Sequence, residues 1–266
     1  RALGDYLIVG VNSDKSVAEC KGLPPVLNDK ERQAAVSGCR FVNEIIPESP
    51  YVMSEEYIQY LIDKYDVDVF VHGDDPCLVD GKDVYEAAKR AGRYRSIPRT
   101  EGISTTEIVG RMLLMTKEHH AASPASDQMG SIGATASRAP SKPECASETS
   151  SFLVTSQLMQ LFSAGLRKHD KTPKRIVYAD GAWDMFHAGH IDFLARARQL
   201  GDFLIVGVHS DKAVNEHRGG NHPILSMQER VLGLLGCRHV DDVLLNAPWL
   251  VTREMLATLR IDVVAR

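Results

Sequence analysis

A duplication constrains this chain more than any other feature. Residues Arg1–Lys15, reading RALGDYLIVGVNSDK, return as Arg198–Lys212, reading RQLGDFLIVGVHSDK, at an offset of 197. Further echoes follow at similar separations: Glu31-Arg32 with Glu229-Arg230, Cys39-Arg40 with Cys237-Arg238, Pro50-Tyr51 with Pro248-Trp249, and Val67-Asp68-Val69 with Ile261-Asp262-Val263. A period this long is no solenoid, so each copy must bury a core of its own. The shared Leu-Ile-Val-Gly-Val is apolar without alternation, as expected of a parallel strand covered on both faces.

Around that strand the first copy alternates short apolar runs with amphipathic stretches. Strands are expected at Tyr6–Val11, Asn43–Ile46 and Val67–Val71. Helices are expected from Glu31, with Ala35, Val36 and Cys39 inward, over Tyr57–Tyr65, and over Lys82–Gly92. Such a series implies an α/β fold, one parallel sheet per copy built from right-handed crossovers, with ligands beyond the carboxyl ends of the strands. His72, Asp74 and Asp75 fall at one such end. The expected organisation is repeat one over 1–118, a Ser/Ala/Pro/Gly-rich linker over 119–151, a docking helix and basic connector over 152–174, and repeat two over 175–266. Repeat two begins near Arg175 with a stretch that repeat one lacks ahead of Arg1, and it stops opposite His72, so both copies are expected to be truncated.

Two stretches carry chemistry. In the first, the apolar run Ile176–Ala179 leads into Asp180-Gly181-Ala182-Trp183-Asp184-Met185-Phe186-His187-Ala188-Gly189-His190, after which Ile191, Leu194, Ala195 and Ala197 have helical spacing. That order is strand, turn, helix start. Two histidines three apart at a helix N-terminus share one face, beside unpaired backbone N–H groups and the positive end of the helix dipole, an arrangement that attracts phosphate. The turn lacks the Gly-x-Gly-x-x-Gly of dinucleotide binders.

The second stretch is Arg99-Thr100-Glu101-Gly102-Ile103-Ser104-Thr105-Thr106-Glu107. Ser104 and Glu107 form a capping box for a helix through Ile108–Met115. A plain cap does not explain the arginine and the extra threonines, and we read a second phosphate site. Lys89 and Arg90 read as a solvated helix face.

Composition narrows the partners. A net charge of −4 argues against a general nucleic-acid binder, so any anion site is local. Five scattered cysteines, none in Cys-x-x-Cys spacing, read as reduced cytosolic thiols without metal. No window approaches the ~20 apolar residues of a membrane span, and no signal peptide is read, although the chain begins with Arg1 and not Met.

The His187-Ala188-Gly189-His190 motif resembles the signature of the nucleotidyltransferase superfamily, and Arg99–Thr106 resembles the Arg-Thr-x-Gly-x-Ser-Thr-Thr signature of its cytidylyltransferases. The resemblance covers nearly all the chain outside the linker, and it implies two tandem Rossmann-like nucleotidyltransferase domains. The tandem arrangement is similar to family members acting on phosphoethanolamine. What this implies is the reaction of CTP with phosphoethanolamine to give CDP-ethanolamine and pyrophosphate, with Mg2+ accompanying CTP, in a protein that is cytoplasmic or peripheral to the endoplasmic reticulum. It further implies a contact between the repeats, at Asn43, Glu44, Asp241 and Asp242, or a homodimer.

The resemblance also assigns residues. His187 and His190 hold the CTP phosphates, and Gly181 and Asp184 shape that pocket. Arg99, Thr100, Gly102, Ser104, Thr105 and Thr106 form the second phosphate clamp. Lys21 approaches the reacting phosphates, Arg32 lies near the nucleotide, and Asp74 is the acidic residue after the third strand. Trp183 and Trp249 are read as packing residues. Repeat two carries Arg218 where repeat one has Lys21, and an arginine is not an equivalent point charge. The histidines belong to repeat two and the Arg99–Thr106 stretch to repeat one, so the expectation is an active parent protein and little activity in this chain alone. Alternatives are a cytidylyltransferase for phosphocholine or glycerol 3-phosphate, and a CTP-binding regulatory module.

Overall fold

Helices begin where a side chain can satisfy the first free amides. Ser13 accepts from Ser16 N ahead of α1 (Asp14–Lys21), Asn28 and Glu31 form a capping box on α2 (Asp29–Ser37), and Ser54 accepts from Tyr57 N ahead of α3 (Glu55–Tyr65). The second repeat uses the same devices. Ser210 caps α7 (Asp211–Arg218), Ser226 and Glu229 box α8 (Met227–Gly236), and Thr252 caps α9 (Arg253–Thr258). The remaining helices are α4 (Glu86–Arg90), α5 (Thr105–Leu114) and α6 (Ala188–Arg198).

A computed structural model describes residues 3–75, 77–79, 81–98, 105–114 and 175–266. The expected linker and docking helix therefore lie outside the described residues. The chain divides into two compact units, Arg1–Thr105 and Thr106–Arg266, so that α5, which stands at the end of the first repeat in sequence, falls with the second unit from Thr106 onward.

The second unit holds a four-stranded parallel sheet in the order β10 (Val263–Val264), β7 (Ile176–Gly181), β8 (Phe203–Val208), β9 (Asp242–Leu245). Alternate residues of these strands feed two cores. Val177, Ala179, Leu204, Val206 and Val243 pack with Leu194 of α6 and Val231 and Leu234 of α8, while Tyr178, Ile205 and Leu244 pack with Met255 of α9. The lack of alternation in the sequence is thereby explained, since both faces are covered by helices.

In the first unit β1 (Ile8–Asn12) pairs in parallel with β2 (Glu44–Ser49), and β3 (Phe70–Gly73) pairs in parallel with β6 (Tyr94–Ile97). The duplication reaches the register: Ile8 faces Glu44 as Ile205 faces Asp242, and Gly10 faces Ile46 as Gly207 faces Leu244. The expected single sheet is not what the hydrogen bonds make here. Among the described residues these are separate two-stranded pairs, and β1 is bonded to β2 alone, where its counterpart β8 lies between β7 and β9. A small core of Ile58, Leu61, Phe70 and Ala88 holds α3, β3 and α4 together.

Element ends depart from the sequence reading in two places. The helix expected over Lys82–Gly92 shrinks to α4, because β5 (Lys82–Asp83) turns back at Gly81, φ 75°, to pair with β4 (Leu78–Val79). The strand expected from Val67 begins at Phe70, after Asp66 ends α3 in the left-handed region.

Candidate functional site

The His motif sits where β7 hands over to α6. His187 is the N-cap of α6: its Nδ1 accepts the Gly189 N–H at 3.0 Å, and its own N–H is donated to His190 Nδ1 at 3.3 Å. The two rings stack at 4.0 Å. A ring nitrogen that accepts an amide proton carries none, so each neutral imidazole keeps its proton on Nε2 and offers that N–H to a ligand. Gly189 is required by this geometry, because a Cβ there would lie 2.9 Å from His187 Cε1.

His190 is half-buried among Phe186, stacked at 5.6 Å, and the edge of Trp183. Burial, then the neighbouring His187 and Arg218, lower its pKa to about 4 despite an opposing pull from Asp184. At neutral pH it is therefore an uncharged donor at the positive end of a helix, suited to a phosphate oxygen. Arg218, at the end of α7, adds its charge to the same site.

The turn is held from behind. Trp183 and Met185 take positive φ of 54° and 51°. The Trp183 indole N–H donates to Gly207 O at 2.8 Å, and a Cβ on Gly181 would press on that indole at 3.2 Å. Asp184 accepts the Ile224 and Leu225 amides at 2.7 and 2.9 Å, so both its oxygens fix the loop before α8. Arg230 is fully buried, and its guanidinium donates to Ala182 O, Leu225 O, His209 O and Asp211.

The remaining residues singled out from sequence fall as follows. Lys21 is exposed at the end of α1, before the left-handed Gly22. Arg32, expected near the nucleotide, has its guanidinium on Asp14, Asp29, Asn12 O and Leu27 O, repeating the inward bonding of Arg230. Asp74 is exposed and lines a pocket of about 280 Å³ with Asp75, Cys77, Tyr85 and Lys89. Tyr85, whose ring lies 4.5 Å from His72, is pushed up to about 12 chiefly by burial. Arg99, Thr100, Gly102 and Ser104 lie outside the described residues, and Thr105 and Thr106 open α5. Asn43 and Asp241, expected to meet a neighbouring domain, each accept an amide that opens a strand of their own unit, from Leu7 and Leu204, both at 2.9 Å.

Sequence reasoning missed a second group in the second unit. Asp180, next to last in β7, has its Oδ2 3.4 Å from His209 Nε2, and His209 Nδ1 donates to Ala247 O. Trp249 lies against this histidine at 4.7 Å and is stacked on His217 at 3.9 Å. Asp180 Oδ1 is buried without a hydrogen-bond partner, as is the Tyr178 hydroxyl two residues before it. A buried carboxylate oxygen beside aromatic rings is an acceptor suited to an N–H or ammonium group. The signal was present in the duplication, where His209, His217 and Trp249 replace Asn12, Cys20 and Tyr51.

The cytidylyltransferase-like family model matches residues 1–111 and 178–266. The chain is 44% identical to an ethanolamine-phosphate cytidylyltransferase of Arabidopsis thaliana, over 99% of this chain and 63% of that protein. It is 45% identical to one of Dictyostelium discoideum, over 99% of this chain and 71% of the relative, and 41% identical to one of Mus musculus, over 99% and 69%. The chain thus spans about two thirds of the length of these relatives.

Proposed function

Because the chain belongs to the ethanolamine-phosphate cytidylyltransferase family of cytidylyltransferase-like proteins, we propose that the protein transfers the cytidylyl group of CTP to phosphoethanolamine, giving CDP-ethanolamine and pyrophosphate. The observation that carries this reading is the pair of stacked, Nε2-protonated imidazoles at the N-terminus of α6. A phosphate oxygen of phosphoethanolamine attacks the α-phosphorus of CTP in line, the bond to the bridging oxygen breaks, and pyrophosphate leaves from the opposite face. No protein nucleophile takes part.

His187 and His190 donate to oxygens of the triphosphate, where negative charge grows as the leaving group departs; one such preorganised donor is worth about 3 kcal/mol in other enzymes. Neutral imidazoles do this without exchanging protons with the substrate. Lys21 and Arg218 supply the charge at the corresponding helix ends, and Arg99, Thr100, Gly102, Ser104, Thr105 and Thr106 make the second phosphate clamp. The amine of phosphoethanolamine fits the chemistry of Asp180 Oδ1 beside Trp249.

Magnesium belongs to the reading as a companion of CTP. Among the described residues no three His, Cys, Asp or Glu side chains gather as a metal cage, and both oxygens of Asp184 hold amides. The residues described do not themselves fit the ion, which the triphosphate and water can ligate. No helix among the described residues is long and apolar enough to cross a membrane. The cytoplasmic location, peripheral to the endoplasmic reticulum, and the repeat–repeat or homodimer contact are part of the proposal, the latter tested by sedimentation.

The test is pyrophosphate release from CTP with phosphoethanolamine, phosphocholine and glycerol 3-phosphate in parallel, using the whole protein with the 266-residue chain beside it. Release with phosphoethanolamine alone is expected from the whole protein. Equal rates with another acceptor would overturn the substrate assignment, and CTP binding without release would overturn the enzymatic one.

A further inference from the structure

Helix α5 stands at the end of the first repeat in sequence but from Thr106 onward belongs to the second compact unit. One of its side chains makes a two-oxygen contact there. Arg111 Nη1 lies 2.9 Å from both oxygens of Glu229, and Nη2 lies 3.1 Å from Glu107 on its own helix. Neither partner is solvent-filled ground: the Arg111 side chain is 14% exposed and that of Glu229 16%. A charge-assisted contact in such a place is stronger and more directional than a surface pair, and removing one partner leaves the other charge half-buried.

Glu229 is the residue that closes the capping box of α8, accepting from Ser226 N at 2.8 Å and Ser226 Oγ at 3.0 Å. From there α8 grips the His turn at successive positions. The adjacent Arg230 holds Ala182 O from the turn and Leu225 O from the loop ahead of α8, and that loop in turn gives two amides to Asp184. One turn on, a Cβ at Gly233 would sit 3.5 Å from Phe186, the ring stacked on His190. The seat of α8 therefore sets the position of Ala182–His190.

We infer that Arg111 is a positioning residue for the His187/His190 turn, acting through Glu229 and α8. A helix outside the second repeat thus braces the phosphate-binding corner inside it, and loosening α5 loosens that corner. Spatial adjacency alone does not establish such a linkage; a coupling measured by paired substitutions does.

The experiment uses the full chain without nucleotide, so that its outcome is independent of whether CTP or phosphoethanolamine is bound. Amide hydrogen exchange over 181–190 and the imidazole resonances of His187 and His190 are followed in wild type, Arg111→Ala, Arg111→Lys, Glu229→Gln, and Arg111→Ala combined with Glu229→Gln. Arg111→Ala is expected to speed exchange over 181–190 about tenfold and to move the His190 titration up from about 4 toward 6.5. Arg111→Lys, which keeps the charge but cannot hold Glu229 and Glu107 from two separate nitrogens, is expected to give the same changes in part. Glu229→Gln, which keeps an acceptor for the Ser226 amide, is expected to give the same changes, and combining it with Arg111→Ala is expected to add little to either alone. Changes confined to 106–114 and 226–229, with the histidine resonances unmoved in Arg111→Lys as well, would overturn the inference, as would a double variant that behaves as the sum of its two single changes.

Discussion

His190 shows how much chemistry rests on one side chain's surroundings. Its folded pKa, about 4, lies below the usual 6.5, so between these values the unfolded chain binds more protons than the folded one. Stability from this group is complete above about pH 6.5 and is lost as pH falls through 4; for a half-buried ring, after discounting for solvent, that is roughly 1–2 kcal/mol. The melting temperature of the second unit is expected to fall across this interval, and His190→Gln to flatten the fall. An unchanged slope in the variant would place the acid sensitivity elsewhere. Gly189→Ala makes a steric prediction. The added Cβ, 2.9 Å from His187 Cε1, must turn the ring out of its stack, and CTP affinity is expected to drop at least about tenfold, near 1.4 kcal/mol, in calorimetry. At this scale the two histidines were legible because residue type, spacing and the following helical period announced a pair of imidazoles at a helix N-terminus. The Asp180–His209–Trp249 group was not, since its members are far apart in sequence and only the sheet brings their ends together.

Between elements, the Glu-Arg pair of each repeat is the clearest case of a role decided by packing. The resemblance places Arg32 near the nucleotide, and in both repeats the guanidinium bonds a strand-end carbonyl, a loop carbonyl and the first aspartate of the neighbouring helix. The two are not equally costly to remove. Arg230 is fully buried, whereas the Arg32 side chain is 19% exposed. Arg230→Ala should therefore destabilise the second unit by roughly 3–5 kcal/mol, and Arg32→Ala should cost the first about 1–2 kcal/mol, read by urea unfolding with probes in each unit. Similar losses would mean that burial does not govern the difference. Most element cores were legible from periodicity and caps. Their ends were not, as where a two-residue hairpin at Gly81 took the start of the expected α4, because turn geometry there outweighs helical spacing.

At the scale of the molecule, the pentapeptide Leu-Ile-Val-Gly-Val provides an internal control. It occurs at 7–11 and again at 204–208, in the same register against its following strand. In β8 its residues are buried between β7, β9 and two helical layers, and in β1 most are only partly covered. Amide exchange over 204–208 is expected to be at least about 100-fold slower than over 7–11, because protection follows the free energy of opening the surrounding structure and not local sequence. Equal protection would show that the two units share one cooperative opening.

By itself the sequence determined the duplication, the parallel α/β architecture and the strand–turn–helix order that sets two histidines at a helix N-terminus, because each depends on local periodicity or on neighbours a few residues apart. Only the tertiary structure decided that Arg32 and Arg230 turn inward, that Asp180 meets His209 and Trp249, and that α5 is held to the second unit through Arg111. Those outcomes depend on burial and on contacts between residues as many as 118 positions apart, which no local pattern encodes.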